Sequence, residues 1–272
     1  MKLSLCNEVV RDLDFPRQCA FAAAVGYDGL EIAPFTLKDD PLTLMPGEIA
    51  AVRAALKAEG LACSSLHWLL VAPAGLSITD PDPAVRDRTI EAIRRLIGLA
   101  AELDAPVLVH GSPRQRNLVQ GAASRDHAMQ AFRAAAEAAE QAGVTYCLEA
   151  LAPNETDFVN TVAEAASIVD AIGSPAFRTM LDCCAAGQTE PDVPAVVDRF
   201  LPTGHIAHVQ VNDPNKRGPG EGDLPIAPIV RALDRHGYQG WLAAEPFDYR
   251  PDGPACAARA AGFMRGILEA IR

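Results

Sequence analysis

Short apolar runs and longer amphipathic stretches alternate along this chain from its first residues to its last. The runs fall at residues 2–6, 29–33, 62–67, 106–110, 145–150, 177–182, 205–211 and 241–246, and each reads as a strand covered on both faces. Between them, residues 84–103, 124–142 and 224–236 place apolar side chains at helical spacing, and residues 253–272 form a closing helix of the same kind. Gly26, Gly60, Gly143 and Gly237 follow such stretches, where glycine accepts the left-handed conformation that ends a helix. Eight strands alternating with helices predict a parallel α/β fold closed as a (β/α)8 barrel. At 272 residues the chain is close to the roughly 250 typical of that barrel. No Ser- or Gly-rich linker, charge block or low-complexity tract divides it, so residues 1–272 are expected to form one domain.

Composition narrows the setting. Hydrophobic residues make up 49% of the chain, enough for a large core, yet no uninterrupted apolar stretch approaches the ~20 residues of a membrane span. The N-terminus has no basic region followed by an apolar core and a cleavage site, and the expected location is cytoplasmic, with no membrane partner. Seven cysteines without a C-x-x-C pair point to reduced thiols. A formal charge of −11 disfavours nonspecific attraction to nucleic acid or anionic lipid. A small substrate, neutral or metal-bound, fits better.

Four potential metal ligands stand at or near strand ends about one β/α unit apart: Glu149, Asp182, His208 and Glu245. In a parallel barrel these ends converge on one face, so residues distant in sequence can surround one ion. Two glutamates, an aspartate and an imidazole suit a divalent ion, Mn²⁺, Mg²⁺, Co²⁺ or Zn²⁺, and the weight of oxygen favours the harder ones. A lone carboxylate at a strand end is as readily a helix cap; four at matching positions are harder to explain that way. His67 and His110 also end predicted strands and are expected to line the same mouth. His127 and His236 fall on helices, and His205 opens its strand at the opposite end of the barrel. Arg217, with Lys216, in the Gly/Pro-rich loop after the seventh strand, and Glu155 in the loop after the fifth, are candidates for substrate contact. Cys183 and Cys184 have no evident basic partner and are expected to pack beside Asp182. Neither a P-loop, a G-x-G-x-x-G turn opening a helix, a G-x-S-x-G elbow nor H-E-x-x-H occurs, which removes support for nucleotide hydrolysis, dinucleotide chemistry and serine acyl transfer.

The segments Ala24-Val25-Gly26-Tyr27-Asp28-Gly29-Leu30-Glu31, Leu148-Glu149 with Glu155, Leu181-Asp182, His208-Val209-Gln210-Val211-Asn212-Asp213, Pro219-Gly220-Glu221-Gly222 and Glu245-Pro246 are familiar as a set. Through them the chain resembles the xylose-isomerase-like TIM-barrel superfamily of sugar isomerases and epimerases, and most closely its ketose 3-epimerase and hydroxypyruvate-isomerase-like branch. The resemblance implies one divalent metal, Mn²⁺ first, held by Glu149, Asp182, His208 and Glu245. It implies that Glu149 and Glu245 also serve as acid and base, passing a proton through a cis-enediolate of a ketose or keto-acid, with Glu155 and Arg217 on the substrate. A sugar or keto-acid is then the partner, and a homo-oligomer, dimer or tetramer, is compatible with it. Two departures stand out: Ala185 occupies a position where many epimerases of the branch carry histidine, and the interval from His208 to Arg217 is long. The same opening step would serve a lyase or dehydratase acting on a keto-sugar, an inosose or an oxidised glycoside. A non-catalytic sugar-binding barrel is the remaining alternative.

Overall fold

The computed structural model describes residues 1–271. Eight parallel strands close into a barrel in sequence order: β1 (Lys2–Cys6), β2 (Gly29–Ile32), β3 (Ala62–Leu66), β4 (Val107–His110), β5 (Thr145–Leu148), β6 (Phe177–Asp182), β7 (Ile206–Val211) and β8 (Trp241–Ala244), with β8 returning to pair β1. The molecule is a (β/α)8 TIM barrel, as the alternation of the sequence predicts. Around it run α1 (Phe15–Ala24), α2 (Pro46–Ala58), α3 (Pro83–Glu102), α4 (Ala122–Ala142), α5 (Val162–Ile172), α6 (Cys183–Thr189), α7 (Val193–Phe200), α8 (Ile226–Arg235) and α9 (Gly253–Ala270). The last position of the predicted closing helix, Arg272, lies outside the described residues.

Helix boundaries follow local chemistry. Asp14, Asp82, Thr161, Asp182 and Asp252 cap helix N-termini through their side-chain oxygens, and Gly143 ends α4 in the left-handed conformation. The main core fills the space between strands and helices, with a small cluster of Val107, Val109, Cys147 and Met180 inside the barrel. Among the described residues, no helix is long and apolar enough to cross a membrane.

Two strands depart from regular pairing near the C-terminal mouth. On β7 the partners of Thr179 and Leu181 are Ile206 and Val209, so three residues of β7 advance against two of β6. On β3 the partners of Leu30 and Glu31 are Cys63 and Ser65, the same one-residue excess. Such bulges change which side chains face inward and are frequent beside functional sites.

Candidate active site

Alternation along β4 and β5 decides what reaches the mouth. Val107, Val109 and Cys147 face the barrel interior, so Glu149 continues that face while His110 must point the other way. His110 accordingly packs in the helical layer, with its ring 5.7 Å from that of Phe132 on α4 and Nδ1 2.7 Å from the Tyr146 hydroxyl. Burial, followed by the nearby Arg116 charge, lowers its pKa to about 3. The expectation that His110 lines the pocket is therefore corrected.

Glu149 and Glu245 sit one step beyond their ladders, yet their amides still use the neighbouring strand. Glu149 N–H donates to His110 O at 3.2 Å and Glu245 N–H to Val211 O at 3.4 Å. Asp182 ends β6 and caps α6, with Oδ1 accepting from Ala185 N–H at 2.6 Å and Oδ2 from Asn212 Nδ2 at 2.7 Å. These three carboxylates meet on a cavity of about 150 Å³ that is also lined by His67, Glu155, Cys184, Lys216 and Ser112. Trp68 and Phe247, in edge-to-face contact at 6.3 Å, belong to its wall together with Pro113 and Leu151.

The carboxylates are crowded. Burial first, then the charges of Asp182 and Glu245, raise the Glu149 pKa well above the carboxylate range. Burial also raises Asp182 to about 6 and pushes Glu245 well up, against the lowering effect of its hydrogen bond from His67. Glu149 can lie where it does because residue 111 is glycine: a Cβ there would stand 2.1 Å from Glu149 Oε2.

Beneath this tier lies a second one that the sequence reading missed. Glu31 of β2 is fully buried and receives Cys6 Sγ at 2.9 Å, Gln210 Nε2 at 2.6 Å and the Ser65 hydroxyl. His208 Nε2 lies 2.7 Å from Glu31 Oε2, the oxygen that also accepts from Ser65, in an ion-pair contact that is poorly aligned as a hydrogen bond. Burial would raise the Glu31 pKa, but the charges of His208 and His67 and these hydrogen bonds outweigh it and hold the group below the usual range. A charged residue inside the apolar run Gly29-Leu30-Glu31-Ile32 was the available signal.

His67 links the tiers. Its Nδ1 is 3.0 Å from Glu245 and its Nε2 is 2.9 Å from Glu8. Burial opposes charge on this ring, but Glu8, Glu31 and Glu245 outweigh it and raise its pKa well above the ordinary value. Potential ligand atoms of Cys6, Glu8, His67 and Glu245 all fall within 4.8 Å of one another, a grouping that could hold an ion. While His67 bridges two carboxylates as an imidazolium, however, it has no lone pair for a metal.

The structure thus brings Glu149, Asp182, Glu245, His67 and Glu155 of the expected set to one cavity, and not His110, His208 or Arg217. His208 stays on Glu31, and the β7 residue level with Asp182 is Gln210, two positions on. With its amide nitrogen committed to Glu31, Gln210 leaves Oε1 buried without a hydrogen-bond partner among the described residues. Three buried carboxylates crowded on one cavity, with the amide oxygen of Gln210 at the β7 position paired with Asp182, are a donor set suited to a hard divalent cation. Arg217 is corrected as well. Asp213 N–H donates to Arg217 O and Lys216 N–H to Asp213 O, a tight turn in which Lys216 takes a left-handed φ of 68°. The two cations consequently diverge: Arg217 pairs with Glu221 at 2.6 Å, while Lys216 lines the cavity 3.8 Å from Glu155.

Comparison with known proteins agrees with this architecture. Over 242 residues the chain is 27% identical to the D-psicose 3-epimerase of Enterocloster bolteae, covering 86% of this chain and 77% of that protein. It is 27% identical over 256 residues to a putative hydroxypyruvate isomerase of Streptomyces coelicolor, covering 87% and 86%. In fold it is similar to the apo crystal structure of a 3-keto-D-glucoside 4-epimerase from E. coli, with a TM-score of 0.84 at 18% identity over 98% of this chain and 99% of that one. The profile of the xylose isomerase-like TIM barrel matches residues 19–267, and the chain belongs to that family.

Proposed function

We propose that this protein is a divalent-metal-dependent epimerase or isomerase of an unphosphorylated ketose. The observation that carries the proposal is the convergence of Glu149, Asp182 and Glu245, all buried and two of them pushed well above their ordinary pKa, on one cavity. Glu149, Asp182, Glu245 and Gln210 Oε1 would hold the ion, Mn²⁺ suiting this oxygen set, and His208 would act from behind through Glu31. When bound, the metal supplies Lewis-acid polarisation of a carbonyl and its neighbouring hydroxyl.

The chain's own residues do the rest. Glu149 and Glu245, carried by β5 and β8, reach the cavity from different sides; one removes the proton from the carbon beside the carbonyl and the other returns one, through a cis-enediolate. The hydrogen bond from His67 holds the Glu245 carboxyl in place. Lys216 donates to a substrate oxygen, and Trp68 and Phe247 close the wall against water. Charge favours an unphosphorylated substrate. Four acids line the cavity, and its two cations are already engaged, Lys216 near Glu155 and His67 between Glu245 and Glu8. The identities of the D-psicose 3-epimerase and hydroxypyruvate isomerase relatives support a carbonyl sugar or a short keto-acid, and the acidic lining favours the neutral sugar.

The test is proton NMR in deuterated water with Mn²⁺-loaded protein and a panel of free ketoses, ketose phosphates and hydroxypyruvate. We expect metal-dependent deuterium uptake at carbon 3 of a free ketose, lowered by ~10²–10⁴ in Glu149→Gln and Glu245→Gln. Wild-type exchange rates in both fully metallated variants would end the two-glutamate reading. A product of changed formula would identify a lyase instead.

A further inference from the structure

Arg116 is fully buried and heads the large side chains that are wholly enclosed. It ends a 3-10 turn, Pro113–Arg116, that directly follows β4 and is tied down by Ile78 N–H donating to Gln115 O at 2.9 Å. Its hydrogen bonds go to main chain: Nη1 donates to Glu149 O at 2.6 Å and, more weakly, to His110 O at 3.4 Å. Nε and Nη2 have no partner among the described residues. A guanidinium buried without a carboxylate pair is costly, and a methionine or leucine would fill the same space without that cost. What an apolar residue cannot do is bridge the last carbonyl of β4 and the first carbonyl beyond β5, that of Glu149, at the point where the ladder stops.

Glu149 is constrained from the other side too. Its carboxylate lies over Gly111, so closely that no Cβ fits between them. Carbonyl and carboxylate are thus fixed by two different segments of the β4 loop. We infer that Arg116 is a positioning residue for Glu149: by clipping the Glu149 carbonyl to the end of β4, it sets the direction in which the carboxylate enters the cavity. The inference rests on the proton-transfer role assigned above to Glu149. Lysine at this position keeps the charge but loses the planar fork, so a geometric role and a purely electrostatic one separate.

The experiment uses Mn²⁺-loaded full-length protein and the variants Arg116→Lys and Arg116→Met. Both should lower kcat by ~10–100-fold with KM changed less than about threefold, the pattern of a misplaced base rather than of lost substrate binding. In parallel, amide exchange of residues 149–151 in Arg116→Lys should quicken at least about tenfold while β1 keeps its protection. Wild-type kcat in Arg116→Lys, or an effect confined to KM, overturns the inference. Should Arg116→Met fail to fold, Arg116→Lys decides alone. Should the wild type exchange no proton with any ketose, the functional reading fails; the clip is then judged by amide exchange, and unchanged protection at residues 149–151 overturns it.

Discussion

Changing Asp182 to asparagine should make the metal-free protein more stable at neutral pH while removing its response to divalent ions. The fold holds Asp182 at about 6 instead of 3.8, which corresponds to ~3 kcal/mol of unfavourable charge once the group is ionised. Asparagine keeps an oxygen for Ala185 N–H but turns an amide nitrogen toward Asn212 Nδ2, losing a hydrogen bond of ~1–2 kcal/mol. The net gain is therefore ~1–2 kcal/mol where Asp182 is charged. Because the folded pKa lies above the unfolded one, the native state binds more protons between them, and stability falls as pH rises through that window. The penalty is absent below about pH 4 and complete somewhat above pH 6. Urea unfolding in EDTA at about pH 4 and about pH 8 should show the variant equal or weaker at the first and stronger at the second. Adding Mn²⁺ to about 100 times its Kd should raise wild-type stability by ~2.7 kcal/mol and leave Asp182→Asn almost unmoved. A variant weaker by the same amount at both pH values would refute the claim that charge crowding shapes this site.

Gln210→Ala should weaken Mn²⁺ binding by at least ~10-fold in calorimetric titration, whereas His208→Ala should leave the Kd within about threefold and lower the thermal midpoint, since it removes a partner of buried Glu31. The opposite ranking would return His208 to the ligand set. Lys216→Met should raise KM by ~10–100-fold through loss of a charged donor, while Arg217→Met, which breaks only the pair with Glu221, should leave KM unchanged. His110, held at about 3, should make the protein lose ~3 kcal/mol between pH 6.5 and 4, because the unfolded chain takes up a proton there that the native state refuses. Denaturant titrations of His110→Gln should show that slope flattened.

The barrel was legible because its signals are local. Apolar runs, helical periodicity and terminal glycines each act over a few residues, and Glu149, Asp182 and Glu245 were recognisable from where such runs end. Register is not local. His208 looks like the inward residue of its strand, and it is inward, but the bulge between Ile206 and Val209 and the claim of Glu31 from β2 decide which tier it occupies. His110 misled because a strand end by itself does not say which face a side chain takes; the parity set by Val107 and Val109 does. For Arg217 against Lys216 the deciding fact is a single left-handed residue in a turn. Arg116 left no trace in hydrophobic patterning, since an arginine in a polar loop reads as solvated until the loop is seen folded inward.

Glu31 has a consequence for how such a sequence can change. Cys6, Ser65, Gln210 and His208 come from β1, β3 and β7, and all direct polar atoms at one carboxylate on β2. Replacing Glu31 alone would strand several donors at once, and replacing any one of them would leave the carboxylate short. These positions should therefore drift through evolution as a block, silent for long periods and then altered together. Residues around the cavity wall, such as Pro113, Leu151 and the Trp68–Phe247 pair, share no buried charge and are free to vary apart from that tier. New substrates are then expected to be reached by changing the wall, while the tier beneath the carboxylates is inherited whole.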